Sequence, residues 1–358
     1  MRKFFYRLAT DQINHPAATL IKAFLLFLSF IYGFCVRIIL LCYRGNIFRR
    51  FSLPKPVISI GNLALGGVGK TPFVEFLAEF LKGENLKPVI LIRGYMATPR
   101  QSRAFDTESD EANVLKESLN DVPVLAGRDR IKIGKEAAQK YPVDVFLLDD
   151  GFQHWRLHRD LDIVLIDATN PFGNRQLIPR GILREPLDSL RRADVLVLTK
   201  TDLGEENLKS LHKQLSLINP LCPIVETIHR PVLLVEMGQQ KTVRDVSFLK
   251  GKSVFVLTGI GDPASFARSL RRLGAEIKKS FVFMDHHVYT RENIKAILEA
   301  CDQKGCALLV TTQKDAVKLI KFKDQFQDRL AVHVLKMKIE IVKGKDEFLA
   351  RIYRLCHR

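Results

Sequence analysis

No Cys-x-x-Cys pair occurs among the six cysteines (Cys35, Cys42, Cys222, Cys301, Cys306 and Cys356), which are scattered along the chain. That spacing speaks against a zinc site or a disulfide framework, and reduced buried thiols of a cytosolic compartment are the expectation. No period of 20–50 residues recurs, which excludes a solenoid. The apolar stretch at 17–43 is broken by Lys22 and Arg37, leaving residues 23–36 free of charge. Those 14 residues make about 21 Å of helix, short of the ~30 Å hydrocarbon core of a bilayer. Composition excludes a polytopic membrane protein, and no small-x-small cleavage site follows the stretch to mark a removed signal peptide. Acids are nearly missing from the first 55 residues, where Asp11 stands alone against nine Lys and Arg, a local charge of +8.

What is present is a basic, globular chain. Its 358 residues are 47% hydrophobic and 27% charged, enough to bury roughly two cores. The net charge of +17 suits nucleic acid, an anionic membrane or a phosphorylated substrate. The apolar N-terminal segment decides for a membrane surface and against nucleic acid. At about 100° per residue, Thr19, Lys22, Ser29, Arg37 and Arg44 fall on one stripe of a greasy helix. Such a helix is expected to lie in the headgroup region, with a tilted span and snorkelling Lys22 and Arg37 as the alternative.

Beyond residue 50 short apolar strands alternate with helix-length segments. Strands are expected at 56–60, 88–92, 123–125, 143–148, 161–166 and 194–198, with helices at 110–119 and 128–140 among others. This alternation predicts an α/β fold with a parallel sheet covered on both faces. The expected domains are a membrane-associated helix at 1–49, a nucleotide-binding domain at 50–223, a β-rich connector at 224–250 and a smaller α/β lobe at 251–358.

Ala64-Leu65-Gly66-Gly67-Val68-Gly69-Lys70-Thr71 matches the phosphate-binding loop G-x-x-x-x-G-K-[ST], with Ala64 at the first glycine. Glycines let backbone N–H groups close round phosphate oxygens, Lys70 reaches the β/γ-phosphates and the Thr71 hydroxyl ligates Mg²⁺. The preceding strand and following helix are the right context for a nucleoside triphosphate. A second apolar strand ends in Asp149-Asp150-Gly151-Phe152-Gln153-His154, where a metal-holding carboxylate belongs. Either Asp149 or Asp150 fits that role. Thr199-Lys200-Thr201-Asp202 resembles the guanine-reading N-K-x-D of GTPases with Thr for Asn, and also reads as a plain strand end and helix cap. The glycine loop resembles that of membrane-surface partitioning ATPases, except that Leu65 stands where those carry a signature lysine.

Gly61-Asn-Leu-Ala-Leu-Gly-Gly-Val-Gly-Lys-Thr-Pro72, Arg93-Gly-Tyr95, Asp110-Glu-Ala112, Asp149-Asp-Gly-Phe-Gln-His154, Pro179-Arg-Gly-Ile-Leu-Arg-Glu-Pro186 and Asp285-His286 occur in one order. Together they resemble the tetraacyldisaccharide 4′-kinase family of Gram-negative bacteria, from the N-terminal helix to about residue 320. The resemblance implies a P-loop-type sheet domain with a second α/β lobe, and Mg²⁺-dependent transfer of the γ-phosphate of ATP. The acceptor it implies is the 4′-hydroxyl of a tetraacyl glucosamine disaccharide 1-phosphate, in lipid A biosynthesis at the cytoplasmic face of the inner membrane. Residues 64–71 fall on its ATP loop, and Asp110 with His286 on a catalytic dyad. Asp149, Asp150 and Glu185 fall on acids around nucleotide and metal. Arg93, Arg180 and Arg184 fall in motifs placed near the transferring phosphate or the lipid headgroup. Ser109 and Met96 depart from the glycines usual in the family.

The bare chemistry agrees, because a sugar hydroxyl is a poor nucleophile and needs a carboxylate or imidazole to take its proton. The separation of Asp110 and His286 implies an acceptor held between two lobes. A monomer is expected. A membrane-surface ATPase switch and a GTP-binding assembly factor are the alternative functions.

Overall fold

The computed structural model describes residues 11, 15–94, 110–238, 243–305, 307–326 and 329–357. Tyr95, Met96, Ser109 and Cys306 lie outside the described residues. The chain divides into two compact units. The first takes the described residues up to 94 together with 119–228 and 340–357; the second takes 110–118 and 229–339.

In the first unit, helix α1 (Pro16–Arg44) precedes strand β1 (Val57–Asn62), helix α2 (Lys70–Gly83) and strand β2 (Pro88–Arg93). After the excursion of helix α3 (Asp110–Ser118) into the second unit come β3 (Val124–Gly127), α4 (Arg130–Lys140), β4 (Val145–Asp149), β5 (Leu161–Asp167), β6 (Val195–Thr199) and α5 (Glu205–Ile218). Strand β7 (Ile224–Glu236) begins here. The strands run parallel in the order β7-β6-β5-β1-β4-β2-β3. Strands β1, β4, β5 and β6 are buried along their whole length, as the mostly apolar strands of a parallel sheet covered on both faces are. From β1 the chain moves first toward β2 and β3, then returns through β4 and crosses to β5. The strand order therefore reverses at β1, and the crevice at the carboxyl ends of such strands is where α/β sheets bind ligands.

The closing segment of the chain also belongs to the first unit. Helix α10 (Lys345–Cys356) seats Phe348 at 6.0 Å from the Phe73 ring of α2, both fully buried. The expected lobe at 251–358 includes this tail; its apolar face at Phe348 and Ile352 fills the first core instead.

The second unit holds β8 (Val243–Arg244), β9 (Ser253–Thr258), α6 (Pro263–Arg272), β10 (Glu276–Val282), α7 (Arg291–Lys304), β11 (Leu308–Thr312), α8 (Gln313–Leu319), α9 (Lys323–Phe326) and most of β12 (Ala331–Lys343). Strands β10-β9-β11-β12 are parallel, and β8 pairs antiparallel with the end of β7. Phe255, Leu257, Tyr289, Ile294, Leu309 and Phe322 belong to one of its cores. Within the connector expected at 224–250, strand β7 takes 224–236 and β8 follows at 243–244.

Helix α1 docks on the first unit by a heptad-spaced face of Ala18, Leu25, Ser29, Val36 and Tyr43. Ser29 Oγ donates to the Leu177 carbonyl at 2.8 Å and accepts from the Arg180 N–H at 3.0 Å, and Tyr32 donates to the Arg184 carbonyl at 2.7 Å. Lys22 and Arg180 both pair with Asp11 at 2.7 Å. The predicted polar stripe is thus partly turned inward. Ser29 and Lys22 satisfy polar groups of the protein, as buried polar atoms must be satisfied. The outward face is apolar instead, formed by Leu20, Phe24, Phe27, Phe30, Phe34 and Leu41. Of the cysteines described, Cys301 is buried, Cys35 is exposed on this helix, and Cys42, Cys222 and Cys356 are half-buried. Buried thiols were therefore the right expectation only for Cys301.

Candidate active site

The glycine loop links β1 to α2, at the reversal of strand order. Gly69 takes φ 87° immediately before the helix, a left-handed backbone that only glycine adopts without strain, and Gly66 takes φ 136°. Ala64 lies in extended backbone, bridged antiparallel to Leu183, so the glycine of the usual pattern is not needed there. Gly61 is required for another reason. A Cβ at this position would stand 2.5 Å from Phe152 Cβ, so β1 and the Asp-Asp-Gly-Phe turn could not approach so closely.

Lys70 Nζ donates to Asn62 Oδ1 at 2.9 Å and lies 3.4 Å from Asp150 Oδ1. Arg184 grips Asp150 with both terminal nitrogens at 3.0 and 2.8 Å and also reaches Asn62 Oδ1. Burial pushes the Asp150 carboxyl up, but Lys70, Arg184 and Arg130 more than offset it and hold Asp150 well below the usual carboxylate range. Asp149 ends β4 buried, in register with Ile60 of β1, so both acids stand beside the loop. Arg93 ends β2, exposed at the same carboxyl edge of the sheet.

A magnesium ion at a phosphate loop draws few protein ligands, because phosphate oxygens and water complete its octahedron. Thr71 at the start of α2, with Asp149 and Asp150 at the next strand end, offers that kind of set. Among the described residues no three His, Cys, Asp or Glu form a protein cage for a metal. Glu185 does not join the set. Its carboxylate is fully buried and receives Arg192 bidentately at 2.7 and 2.8 Å, while the Arg192 guanidinium lies 3.7 Å from the Phe152 ring centre. A buried carboxylate needs such a partner, and this one has it in full. Arg180 pairs with Asp11 and, through its N–H, with Ser29 of α1.

Thr199 and Lys200, whose spacing fits either a base-reading motif or a plain helix cap, brace the phosphate loop. Thr199 Oγ1 donates to the Val68 carbonyl at 2.9 Å, and Lys200 Nζ donates to the Gly67 carbonyl at 3.0 Å and pairs with Asp167. Both side chains hold the back of the phosphate loop, and Asp202 is exposed. The N-K-x-D likeness was the available signal; it pointed to the loop, not to a base.

In the second unit, Asp110 opens α3 and His286 sits in the turn after β10. Residues 176 apart in the chain meet with His286 Nδ1 3.2 Å from Asp110 Oδ2. Lys318 of α8 lies 2.9 Å from the same oxygen. Lys314, one helical turn earlier, bridges Glu111 and Asp285 at 2.9 Å each. Burial raises the Asp110 carboxyl, but the His286 bond and the Lys318 ammonium beside it bring it down to about 2. The Asp110 bond, helped by Asp285 and Glu111, raises His286 above its ordinary value against burial and Lys314.

The family description tetraacyldisaccharide-1-P 4′-kinase matches residues 21–356 of the chain. The chain is 40% identical over 292 residues to the tetraacyldisaccharide 4′-kinase of Anaeromyxobacter sp. (strain K), covering 77% of each. It is 36% identical over 309 residues to that of Halothermothrix orenii, covering 80% of each. The crystal structure of LpxK from Aquifex aeolicus in complex with ATP aligns with a TM-score of 0.71 at 30% identity, covering 94% of this chain and 99% of that one. On these matches the chain belongs to the tetraacyldisaccharide-1-P 4′-kinase family.

Proposed function

We infer that the protein transfers the γ-phosphate of ATP to the 4′-hydroxyl of a tetraacyl disaccharide 1-phosphate, a kinase step of lipid A biosynthesis. The observation that carries the assignment of the chemistry is the Asp110–His286 pair at 3.2 Å. An imidazole oriented by a carboxylate accepts a hydroxyl proton well. As the bond from O4′ to the γ-phosphorus forms, the hydroxyl proton passes to the dyad. The bond from phosphorus to the bridging oxygen breaks, and its electron pair leaves with ADP.

Residues 64–71 bind the phosphates, and Lys70 exchanges Asn62 Oδ1 for phosphate oxygen when ATP arrives. Thr71 with Asp149 or Asp150 would hold Mg²⁺, which draws charge from the phosphate oxygens during transfer. Arg184 beside the loop and Arg93 at the sheet edge supply positive charge for phosphate groups. Glu185 serves through Arg192 and Phe152, fixing the turn that carries Asp150.

The reading places the protein on the cytoplasmic side of the inner membrane, and the exposed apolar face of α1 supports its seat at a bilayer surface. With its opposite face docked on the protein, the helix suits one leaflet rather than a full span.

The test is phosphate transfer from γ-labelled ATP into a tetraacyl disaccharide 1-phosphate in detergent micelles, beside GTP and acceptor-free reactions. Label in the lipid that disappears with Lys70→Ala is expected. Phosphate release without labelled lipid would move the function to an ATPase switch and remove the roles of Asp110 and His286.

A further inference from the structure

Two lysines on one face of α8 address the dyad. Lys314 and Lys318 are four residues apart, hence neighbours on the helix surface. Lys318 shares Asp110 Oδ2 with His286 Nδ1, and its side chain is largely buried at 10% exposure. Lys314 spans Glu111 Oε1 and Asp285 Oδ1. Those two acids are also the ones facing the other ring nitrogen, with His286 Nε2 3.6 Å from Glu111 and 3.8 Å from Asp285.

The helix that carries the lysines is rigidly anchored. Asp315, fully buried between them in sequence, accepts the Gly259 N–H at 3.0 Å, the Tyr289 hydroxyl at 2.8 Å and the Thr312 hydroxyl at 2.7 Å. Thr312 in return caps α8 by accepting the Asp315 N–H. This ties α8 to the loop after β9 and to the segment just past His286.

We propose that Lys314 and Lys318 are positioning residues for the phosphoryl transfer, holding Asp110 as acceptor of the His286 Nδ1 proton so that Nε2 takes the proton of the sugar hydroxyl. The inference rests on the kinase reading above and adds two residues to it. Its force is in the local charge. Asp110, Glu111 and Asp285 place three negative charges round one imidazole, an arrangement that would keep the ring protonated and useless as a base near neutral pH. The two ammonium groups cancel two of the three. Among the described residues nearby, His287 stacks on Phe283 and bonds Asn293, and Tyr289 holds its proton because burial and Asp315 push its hydroxyl up.

The experiment uses the full chain with Lys314→Met, Lys318→Met, Lys318→Gln and the arginine replacement at each position. The His286 ring is followed by NMR in histidine-labelled protein and assigned with His286→Gln, and kcat/KM for the lipid acceptor is measured from pH 6 to 9. Loss of either lysine is expected to raise the His286 midpoint by about one pH unit, hence to lower kcat/KM roughly tenfold at pH 7 but less than about threefold at pH 9. KM for ATP stays unchanged, and both arginine variants restore the midpoint. An unshifted midpoint, or an equal fall at every pH, overturns the proposal; if Lys318→Met does not fold, Lys318→Gln reads the same midpoint. The ring titration needs no turnover. A protein that fails to phosphorylate the lipid therefore refutes the kinase reading while still testing the two lysines.

Discussion

Lys200 Nζ lies 3.0 Å from the carbonyl oxygen of Gly67, so a side chain from the end of β6 holds the phosphate loop from behind. The neighbouring Thr199 hydroxyl repeats the contact at Val68. Thr199→Val keeps the shape and removes one hydrogen bond, which costs about 1 kcal/mol of stability. It should raise KM for ATP several-fold while kcat changes little. Lys200→Met leaves the Asp167 carboxylate without its buried partner, a loss of roughly 3–5 kcal/mol. Thermal unfolding with and without ATP separates the two variants; equal shifts in both would contradict the loop-bracing role.

The dyad sets a pH dependence for the wild-type enzyme. A base must be unprotonated to accept a proton, and His286 is raised above its ordinary 6.5. Activity should therefore climb with pH through an acid limb above 6.5. Asp110, near 2, stays ionised throughout and contributes no limb between pH 4 and 9. Asp110→Ala should lower turnover by roughly 10²–10⁴-fold. A profile flat from pH 8 down to 4 would make Asp110 alone the proton acceptor.

The two strand-end acids should separate under magnesium titration. Asp150 is already committed to Arg184 and Lys70, which favours Asp149 as the carboxylate of the metal. Asp149→Asn is expected to raise the Mg²⁺ needed for half-maximal activity by roughly tenfold or more, the scale of changes at metal sites. Asp150→Asn should lower kcat with less effect on that requirement. The reverse pattern would exchange the two roles.

The parallel sheet and the phosphate loop were legible because both rest on local pattern. Buried strands such as β4 and β6 read as apolar runs, and the loop is fixed by glycines at set spacing. The backbone hand of residues at and behind the site was not legible in the same way. Asp150, Lys200 and His286 take φ values of 52°, 57° and 61°, a region that side chains seldom occupy and that no spacing rule announces. Glu185 shows the other limit. Its place in a motif said that an acid was needed there, but only the fold shows that the need comes from Arg192. Strand β12 escaped notice because its lysines break the apolar run, and helix α10 because nothing in sequence links Phe348 to Phe73.

The outward face of α1 makes a quantitative prediction. Phe27 and Phe34 are 60% and 65% exposed, so each has roughly 1–2 kcal/mol of transfer energy left to gain from lipid. Replacing both with Asp should remove about 2–4 kcal/mol of membrane affinity, or roughly 30–1,000-fold in partitioning to anionic vesicles. KM for micellar lipid should rise with it, while KM for ATP stays put because α2 and the loop are untouched. Ser29→Ala acts on the opposite face, where it removes bonds to the 177–180 segment, so it should lower thermal stability and leave vesicle binding alone. Vesicle sedimentation unaffected by the double Phe change would show that this face does not enter the bilayer.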